Sequence, residues 1–244
     1  MTITEYDPAA LARLGTVLGV WAHPDDETYL CGGLMMAAVA AGSRVVCVTA
    51  TRGEAGSMDH DRWPPEQLAD VRTLELAVAL DTFGVTEHHW LDYPDGGCAA
   101  VDAEDAVRRI AELIVEVAPD TILTFAPDGM TGHADHIAVC EWTTEAARRT
   151  GRSDRLHYAT VTPTEWAQQE ATFFEHGISM GGQPDVTAPA DCSILVTLPV
   201  DLCARKDTAI RAQVSQTEML IQAVGEETFA MFIATETFRL ARQA

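Results

Sequence analysis

Apolar runs alternate with longer helix-like stretches through residues 1–150. Several of the runs are almost continuous, which is typical of strands that are covered on both faces of a parallel sheet. Four strand–helix alternations predict an α/β fold with a doubly wound, mostly parallel sheet flanked by helices. The predicted strands lie at residues 16–22, 44–50, 87–91 and 121–126, and the predicted helices at residues 27–41, 64–83, 103–117 and 133–149.

The pattern loosens after residue 150. We predict residues 1–150 as the core and residues 151–244 as a smaller C-terminal α/β extension that completes the sheet and the substrate pocket within one structural domain. A polar loop at residues 51–63 is longer than a plain connection, and we expect it to affect specificity. The predicted elements of the extension are strands at residues 156–161, 193–199 and 237–240, helices at 163–174 and 202–224, and a loop at 176–189.

The charge balance narrows the class of partner. The chain has 37 acidic and 16 basic residues and a net charge of −21, so it lacks the basic footprint that nucleic acid or an anionic membrane requires. The charge identifies no substrate. The motifs, rather than the charge, indicate a small-molecule substrate, and homo-oligomerisation is left open. The six cysteines have no Cys-x-x-Cys spacing, no leader sequence is visible, and the apolar runs are too short to cross a bilayer. These features favour a cytoplasmic protein with buried free thiols.

Side chains that can bind metal follow two of the predicted strands. His23-Pro24-Asp25-Asp26-Glu27 comes after residues 16–22, and Gly132-His133-Ala134-Asp135-His136 comes after residues 121–126. Sites in open α/β sheets form at the carboxyl ends of strands, and imidazole with carboxylate suits Zn²⁺ or a related divalent cation. Either cluster alone is more often a turn or a helix cap. The two together indicate a single metal site.

These motifs resemble the PIG-L/LmbE-like family of zinc-dependent N-deacetylases and amidases, which includes N-acetylglucosaminyl deacetylases. The family's Ala-His-Pro-Asp-Asp-Glu motif matches residues 22–27, and its His-Pro-Asp-His motif matches residues 133–136 with Ala134 in place of proline. The resemblance spans nearly the whole chain. Further matches are Thr51-Arg52-Gly53-Glu54, Arg72-x-x-Glu75-Leu76, Leu91-Asp92-Tyr93-Pro94-Asp95-Gly96, Lys206 and Ser215-Gln216.

The resemblance implies a Rossmann-like core in which His23, Asp26 and His136 bind zinc. Fe²⁺ or another divalent metal would accept the same ligands. By the same resemblance Asp25 would be the general base toward a metal-activated water. The side chains of Asp25 and Asp26 are consistent with these two roles. Because they are adjacent they point in different directions, so one can bind the cation while the other faces a bound water.

The resemblance also assigns roles around the metal. His133 would stabilise the oxyanion that forms as water attacks an amide carbonyl, and Asp135 would orient the His133 ring. The expected substrate contacts are Arg72, Arg52, Asp95 and Thr131.

Several of these residues could instead have a purely structural role. Arg72 lies three residues before Glu75 on a predicted helix, so the two can form a helical ion pair. Asp95 lies in a Pro-Asp-Gly turn and can be a turn former. Thr131 stands where many family members have tyrosine, and Gln213 stands where they often have histidine. Both departures concern substrate handling and leave the metal ligands intact.

The sequence thus predicts a metal-dependent hydrolase of an amide bond, most simply an N-deacetylase of an N-acyl amino sugar or its conjugate. A thiol-conjugate amidase is the alternative within the class, since it needs the same metal site and a different pocket. A non-catalytic metal- or sugar-binding protein is the alternative from another class, and it would not need the base Asp25. A nucleotide-binding Rossmann protein is disfavoured because no G-x-G-x-x-G follows the first strand.

Overall fold

Seven strands form one sheet in the computed structural model of the chain, which describes residues 2–4, 6–181 and 183–241. They are β1 (Val17–Trp21), β2 (Val45–Thr51), β3 (Glu87–Tyr93), β4 (Thr121–Thr124), β5 (Leu156–Ala159), β6 (Ile194–Thr197) and β7 (Thr235–Leu240). The order across the sheet is β3-β2-β1-β4-β5-β7-β6. Strands β1 to β5 are parallel, and β7 is antiparallel to β5 and β6. The predicted fold class is confirmed.

Ten α-helices accompany the strands in the described ranges. They are α1 (Pro8–Leu11), α2 (Asp26–Ala40), α3 (Pro65–Phe83), α4 (Ala103–Val117), α5 (Gly129–Gly132), α6 (Ala134–Arg149), α7 (Pro163–Glu175), α8 (Val200–Ala212), α9 (Val214–Val224) and α10 (Glu226–Ile233). None of the helices in the part of the chain that the structure describes is long and apolar enough to cross a bilayer.

The chain reverses its direction of travel across the sheet between β1 and β4. These strands are neighbours, with Val17 opposite Thr121, but the chain leaves β1 toward β2 and leaves β4 toward β5. A crevice therefore opens beyond their carboxyl ends, which is where open α/β sheets bind ligands. Both predicted metal-binding clusters follow these two strands, so the topology brings them to one place.

A buried ion pair connects the C-terminal extension to the core. Helix α2 is kinked at Cys31 (φ −147°, ψ 16°), and the N–H groups of Gly33 and Leu34 donate to the Glu236 carboxylate at 2.7 Å each. Lys206 Nζ lies 2.7 Å from the same carboxylate, and both side chains are fully buried. Strands β5, β6 and β7 of the extension also continue the sheet of the core. The division of the chain at residue 150 stays a prediction.

The single helix predicted at residues 202–224 is wrong. The chain breaks at Gln213 (φ −89°, ψ 55°) into α8 and α9, and α10 follows as a helix that the sequence did not predict. The Glu75 carboxylate accepts hydrogen bonds from Ser215 N at 2.8 Å and Ser215 Oγ at 2.6 Å. A residue distant in the chain therefore caps the start of α9, and the side chain of Gln213 turns inward to donate to the Pro24 carbonyl at 3.3 Å.

All six cysteines are free, and five of them are fully buried. Cys203 is partly exposed. This agrees with the expectation of buried free thiols.

Candidate metal centre

His23, Asp26 and His136 converge at the crevice between β1 and β4. His23 Nδ1 lies 3.1 Å from His136 Nε2 and 3.5 Å from Asp26 Oδ2, and His136 Nε2 lies 3.4 Å from Asp26 Oδ1. Each residue is only 8% exposed. Zinc ligands at about 2.0–2.1 Å in a tetrahedral arrangement lie about 3.3–3.4 Å from one another. The three donors therefore have the spacing that one divalent cation requires.

The hydrogen bonds of the two rings assign their lone pairs. His136 Nδ1 donates to the Gly129 carbonyl at 2.9 Å, so its Nε2 carries a lone pair. His23 Nε2 faces Asp95 Oδ1 at 3.1 Å and Asp135 Oδ2 at 3.3 Å, so the neutral form of this ring carries its proton on Nε2 and its lone pair on Nδ1. Two lone pairs and the Asp26 carboxylate then face one point, where only a proton or a cation offsets their repulsion.

The electrostatics of the three groups agree with cation binding. Burial lowers the pKa of His136 to about 4, so the ring is neutral near pH 7. Burial opposes ionisation of Asp26, but His136 and His23 hold the pKa of the carboxyl below its ordinary value. Burial also lowers the pKa of His23, but the bonds to Asp135, Asp26 and Asp95 raise it well above 6.5. The site therefore attracts positive charge.

Two carboxylates behind His23 hold its ring. Asp135 accepts hydrogen bonds from the N–H groups of Gly96 at 2.7 Å and Cys98 at 3.0 Å, in addition to its contact with His23. Asp95 accepts from the Ala55 N–H at 2.8 Å. Burial opposes the charge of Asp95, but the contact with His23 lowers its pKa to about 2. Carboxylates in this position fix the orientation and tautomer of a metal-binding histidine.

This arrangement corrects the expectation that the Asp135 carboxylate orients His133. His133 is the N-cap of α6 and has an extended backbone, while Asp135 lies in the first turn of that helix. The backbone N–H of Asp135 instead donates to His133 Nδ1 at 3.1 Å, while its carboxylate holds His23. Because Nδ1 accepts a hydrogen bond, the neutral His133 ring carries its proton on Nε2.

The His133 ring lies beside the convergent donors. Its centroid is 4.8 Å from that of His23 and 5.0 Å from that of His136, and the three histidines each offer a nitrogen within 4.8 Å of the others. His133 is partly exposed, whereas the other two histidines are buried. It can therefore contact a molecule bound at the site or serve as a further donor.

Arg72 holds Asp25 at the edge of the site. Arg72 Nη2 lies 3.1 Å from Asp25 Oδ2, and the guanidinium donates to the carbonyls of Gly53 at 3.1 Å and Pro24 at 3.3 Å. Arg72 is 3% exposed. Burial raises the pKa of Asp25, and the charge of Arg72 opposes that rise. The described contacts make Arg72 a partner of Asp25 and of the backbone, and a contact with substrate stays a prediction. The Glu75 carboxylate, the alternative partner of Arg72, accepts a hydrogen bond from Ser215 Oγ at 2.6 Å.

The remaining predicted substrate contacts have different surroundings. Arg52 donates to Asp92 Oδ1 at 2.8 Å and to Thr73 Oγ1 at 3.0 Å, and it stacks over the Trp90 ring at 4.2 Å. These contacts occupy its guanidinium with neighbouring side chains. Thr131 Oγ1 lies 3.5 Å from His136 Nδ1 and lines a cavity beside the site. Asp95 is a partner of His23, a role that sequence reasoning missed because nothing local to Pro94-Asp95-Gly96 indicates it.

Residues 18–147 match the family described as PIG-L, GlcNAc-PI de-N-acetylase. The match covers more than half of the chain, and one relative is similar to the chain over nearly the full length of both. The chain therefore belongs to this family. The resemblance that the two motifs indicated is confirmed.

Two relatives carry the same name, 1D-myo-inositol 2-acetamido-2-deoxy-alpha-D-glucopyranoside deacetylase. The protein of Kineococcus radiotolerans is 38% identical over 176 residues, which cover 58% of this chain and 49% of that relative. The protein of Saccharomonospora viridis is 30% identical over 260 residues, which cover 93% of this chain and 95% of the relative. The chain thus spans about half the length of the first relative. Both names describe hydrolases of carbon–nitrogen bonds, which is the enzyme class that the sequence predicts for this chain.

A solved structure has a similar fold. The N,N'-diacetylchitobiose deacetylase from Pyrococcus horikoshii aligns with a TM-score of 0.67 and 20% identity, over 97% of this chain and 87% of that one. At this identity the likeness concerns the fold alone.

Proposed function

We propose that the chain is a metal-dependent amide hydrolase that removes the acyl group from an N-acyl amino sugar or its conjugate. The observation that carries the proposal is the Asp25 carboxylate, bound by Arg72, next to the convergent donors His23, Asp26 and His136. A binding protein would need the donors without a base beside them. The deacetylase names of the relatives support the amino-sugar class of substrate.

Zinc is the metal that we propose at His23, Asp26 and His136. Two neutral imidazole nitrogens and one carboxylate are typical ligands of catalytic zinc and leave further coordination positions open. Fe²⁺ accepts the same ligands. When bound, the metal would act as a Lewis acid that makes water more acidic and polarises the amide carbonyl.

Asp25 is the proton carrier in this proposal. Its carboxylate takes a proton from the attacking water as the oxygen bonds to the carbonyl carbon, and it returns that proton to the nitrogen as the C–N bond breaks. The products are a carboxylic acid and a free amine. Burial raises the pKa of Asp25 and makes it a stronger base than an exposed aspartate, while Arg72 favours the ionised form and holds it in place.

His133 donates to the carbonyl oxygen as negative charge develops on it. Because Nδ1 accepts a hydrogen bond from the Asp135 backbone, Nε2 is the ring nitrogen that can donate to the carbonyl oxygen. A preorganised donor of this kind typically contributes on the order of 3 kcal/mol to the transition state.

The proposal is tested by assaying release of free amine from three substrates. The zinc-loaded protein is incubated with N-acetylglucosamine, an N-acetylglucosaminyl inositol and an amide of a thiol conjugate, and the Asp25→Asn variant is the control. We expect amine from the sugar substrates and a loss of roughly 100-fold or more in Asp25→Asn, with equal metal content in the two proteins. Faster cleavage of the thiol conjugate would favour the amidase alternative. No amine from any of the three amides would favour a binding function, and equal measurable rates in the two proteins would remove Asp25 from the mechanism.

A cytoplasmic location belongs to the same proposal. It rests on the six free cysteines, which are typical of a reducing compartment. Fractionation of the native host tests it, and recovery of the protein outside the cytoplasm would contradict it.

A further inference from the structure

A cavity of about 220 Å³ opens beside Asp26 and His136. One buried water needs only roughly 10–15 Å³ of such volume, so the cavity accepts a group far larger than an acetyl methyl. Most of its walls are apolar. They include Leu30, Phe125 and Met130 from the core, and Trp166, Phe173 and Leu220 from the C-terminal extension.

The extension supplies the far wall of the cavity. Residues 160–237 contribute most of the side chains that line it, and these residues lie outside the matched range 18–147. The shape of the cavity is therefore set largely by the C-terminal extension.

Besides the proposed metal donor Asp26, the walls contain two carboxylates, and both already have partners. Glu236 accepts hydrogen bonds from Lys206, Gly33 and Leu34. Glu165 accepts from Thr162 N at 2.6 Å and from Thr237 Oγ1 at 3.0 Å. A sugar ring placed here would lack these carboxylates as partners for its hydroxyls, and each buried unpaired group costs about 1–3 kcal/mol. An alkyl chain has no such requirement.

We infer that the cavity receives the acyl side of the scissile amide, and that the preferred acyl group is an alkyl chain of about six to eight carbons. The inference rests on the proposed amide hydrolysis. With the carbonyl at Asp26 and His136, the acyl chain extends along the apolar wall and the polar amino sugar stays toward solvent. Each methylene removed from water contributes about fourfold to binding. A hexanoyl or octanoyl substrate therefore exceeds its acetyl counterpart at least tenfold in kcat/KM.

The test is a series of N-acylglucosamines with two, four, six and eight acyl carbons. We expect kcat/KM to rise at least tenfold from acetyl to hexanoyl. In parallel, calorimetry with the inactive Asp25→Asn variant compares binding of intact N-octanoylglucosamine and N-acetylglucosamine. A flat or falling series with efficient acetyl hydrolysis would overturn the inference and leave the proposed function standing. Hydrolysis of no member would instead count against the proposed function.

A matched pair of variants on α9 locates the chain in the cavity. Leu220→Trp fills the cavity, whereas Met219→Trp adds the same ring at a neighbouring position that is 45% exposed and not part of the walls. We expect Leu220→Trp to lower the octanoyl-to-acetyl ratio of kcat/KM at least tenfold and Met219→Trp to leave it unchanged. An equal ratio in all three proteins would contradict the assignment. Circular dichroism checks that the variants fold. If Leu220→Trp does not fold, the calorimetric comparison of N-octanoylglucosamine with N-acetylglucosamine tests the assignment instead.

Discussion

Arg72 Nη2 lies 3.1 Å from Asp25 Oδ2, and the same guanidinium packs against Gly53 so closely that a Cβ there would lie 2.2 Å from Arg72 Nη1. Gly53 has φ +69°, a conformation that other residues rarely adopt. The glycine thus leaves the space in which Arg72 reaches the proposed base. The position of Asp25 depends on the loop after β2 and on helix α3.

We expect Gly53→Ala to lower kcat on the order of 100-fold, because displacing a catalytic base by about 1 Å can lower the rate by that factor. Metal content should not change, since Arg72 does not contact the three metal donors. Gly42→Ala is the control, because its φ is +83° and nothing lies within 4 Å of the added Cβ. It reports backbone strain alone. Equal kcat in both variants, measured by amine release, would exclude a positioning role for Arg72.

Asp135→Asn should weaken metal binding by about 10- to 100-fold, which is the usual effect of removing the partner that orients a ligand histidine. The asparagine side chain lacks the negative charge that lies opposite His23 Nε2. It also has one carbonyl oxygen in place of the two carboxylate oxygens that accept from the N–H groups of Gly96 and Cys98. Competition with a chromogenic chelator measures the affinity.

The control for this change is Asp102→Asn, which alters an exposed cap of α4. It should leave metal affinity unchanged. An unaltered affinity in Asp135→Asn would show that the contact with His23 does not support the metal site.

Lys206→Met should lower the free energy of unfolding by about 3–5 kcal/mol, because it leaves the buried Glu236 charge without its ion-pair partner. Urea denaturation measures the loss. Adding Glu236→Gln to Lys206→Met should recover part of it, since the uncompensated charge is removed while an acceptor for the α2 backbone is retained. A change below about 1 kcal/mol in Lys206→Met would mean that the pair does not secure the extension to the core.

Protonation of His157 should lower the free energy of unfolding in acid. Burial lowers its pKa to about 4, from an ordinary value of 6.5, and its ring contacts Ser193 Oγ at 2.7 Å. The unfolded chain therefore binds the proton first as pH falls, and stability is lost between about pH 6.5 and 4 by up to about 1.4 kcal/mol per pH unit.

The measurement is the free energy of unfolding across that pH range. We expect a shallower decline in His157→Gln than in the parent protein. His176→Gln, which changes an exposed residue, should follow the parent. Parallel curves for all three proteins would refute the assignment.

The sequence predicts the core sheet and the convergence at the metal site because both depend on local patterns. Continuous apolar runs identify β1 and β4, and the clusters around His23 and His136 follow them directly. Once the chain forms a doubly wound sheet, the carboxyl ends of these neighbouring strands meet without further information.

The parts that the sequence did not predict depend on contacts between distant residues. The break at Gln213 follows from the Glu75 carboxylate, 140 positions from Ser215, and an apolar pattern through residues 202–224 does not reveal it. The contact of Asp95 with His23 is similar, since it forms only after the turn that follows β3 folds back toward the site. The resemblance led to the expectation that the Asp135 carboxylate orients His133, whereas in the structure that carboxylate contacts His23 and only the Asp135 backbone N–H reaches His133.

The proposed site requires that His23, Asp26 and His136 bind one divalent cation, with Asp25 as a base outside the ligand set. Elemental analysis after dialysis against zinc tests it most directly in the parent protein, Asp25→Asn and His136→Ala. We predict about one metal ion per chain in the first two, with amide hydrolysis only in the parent, and almost none in His136→Ala. A parent protein that retains no metal, or a His136→Ala variant that retains as much as the parent, would contradict the account.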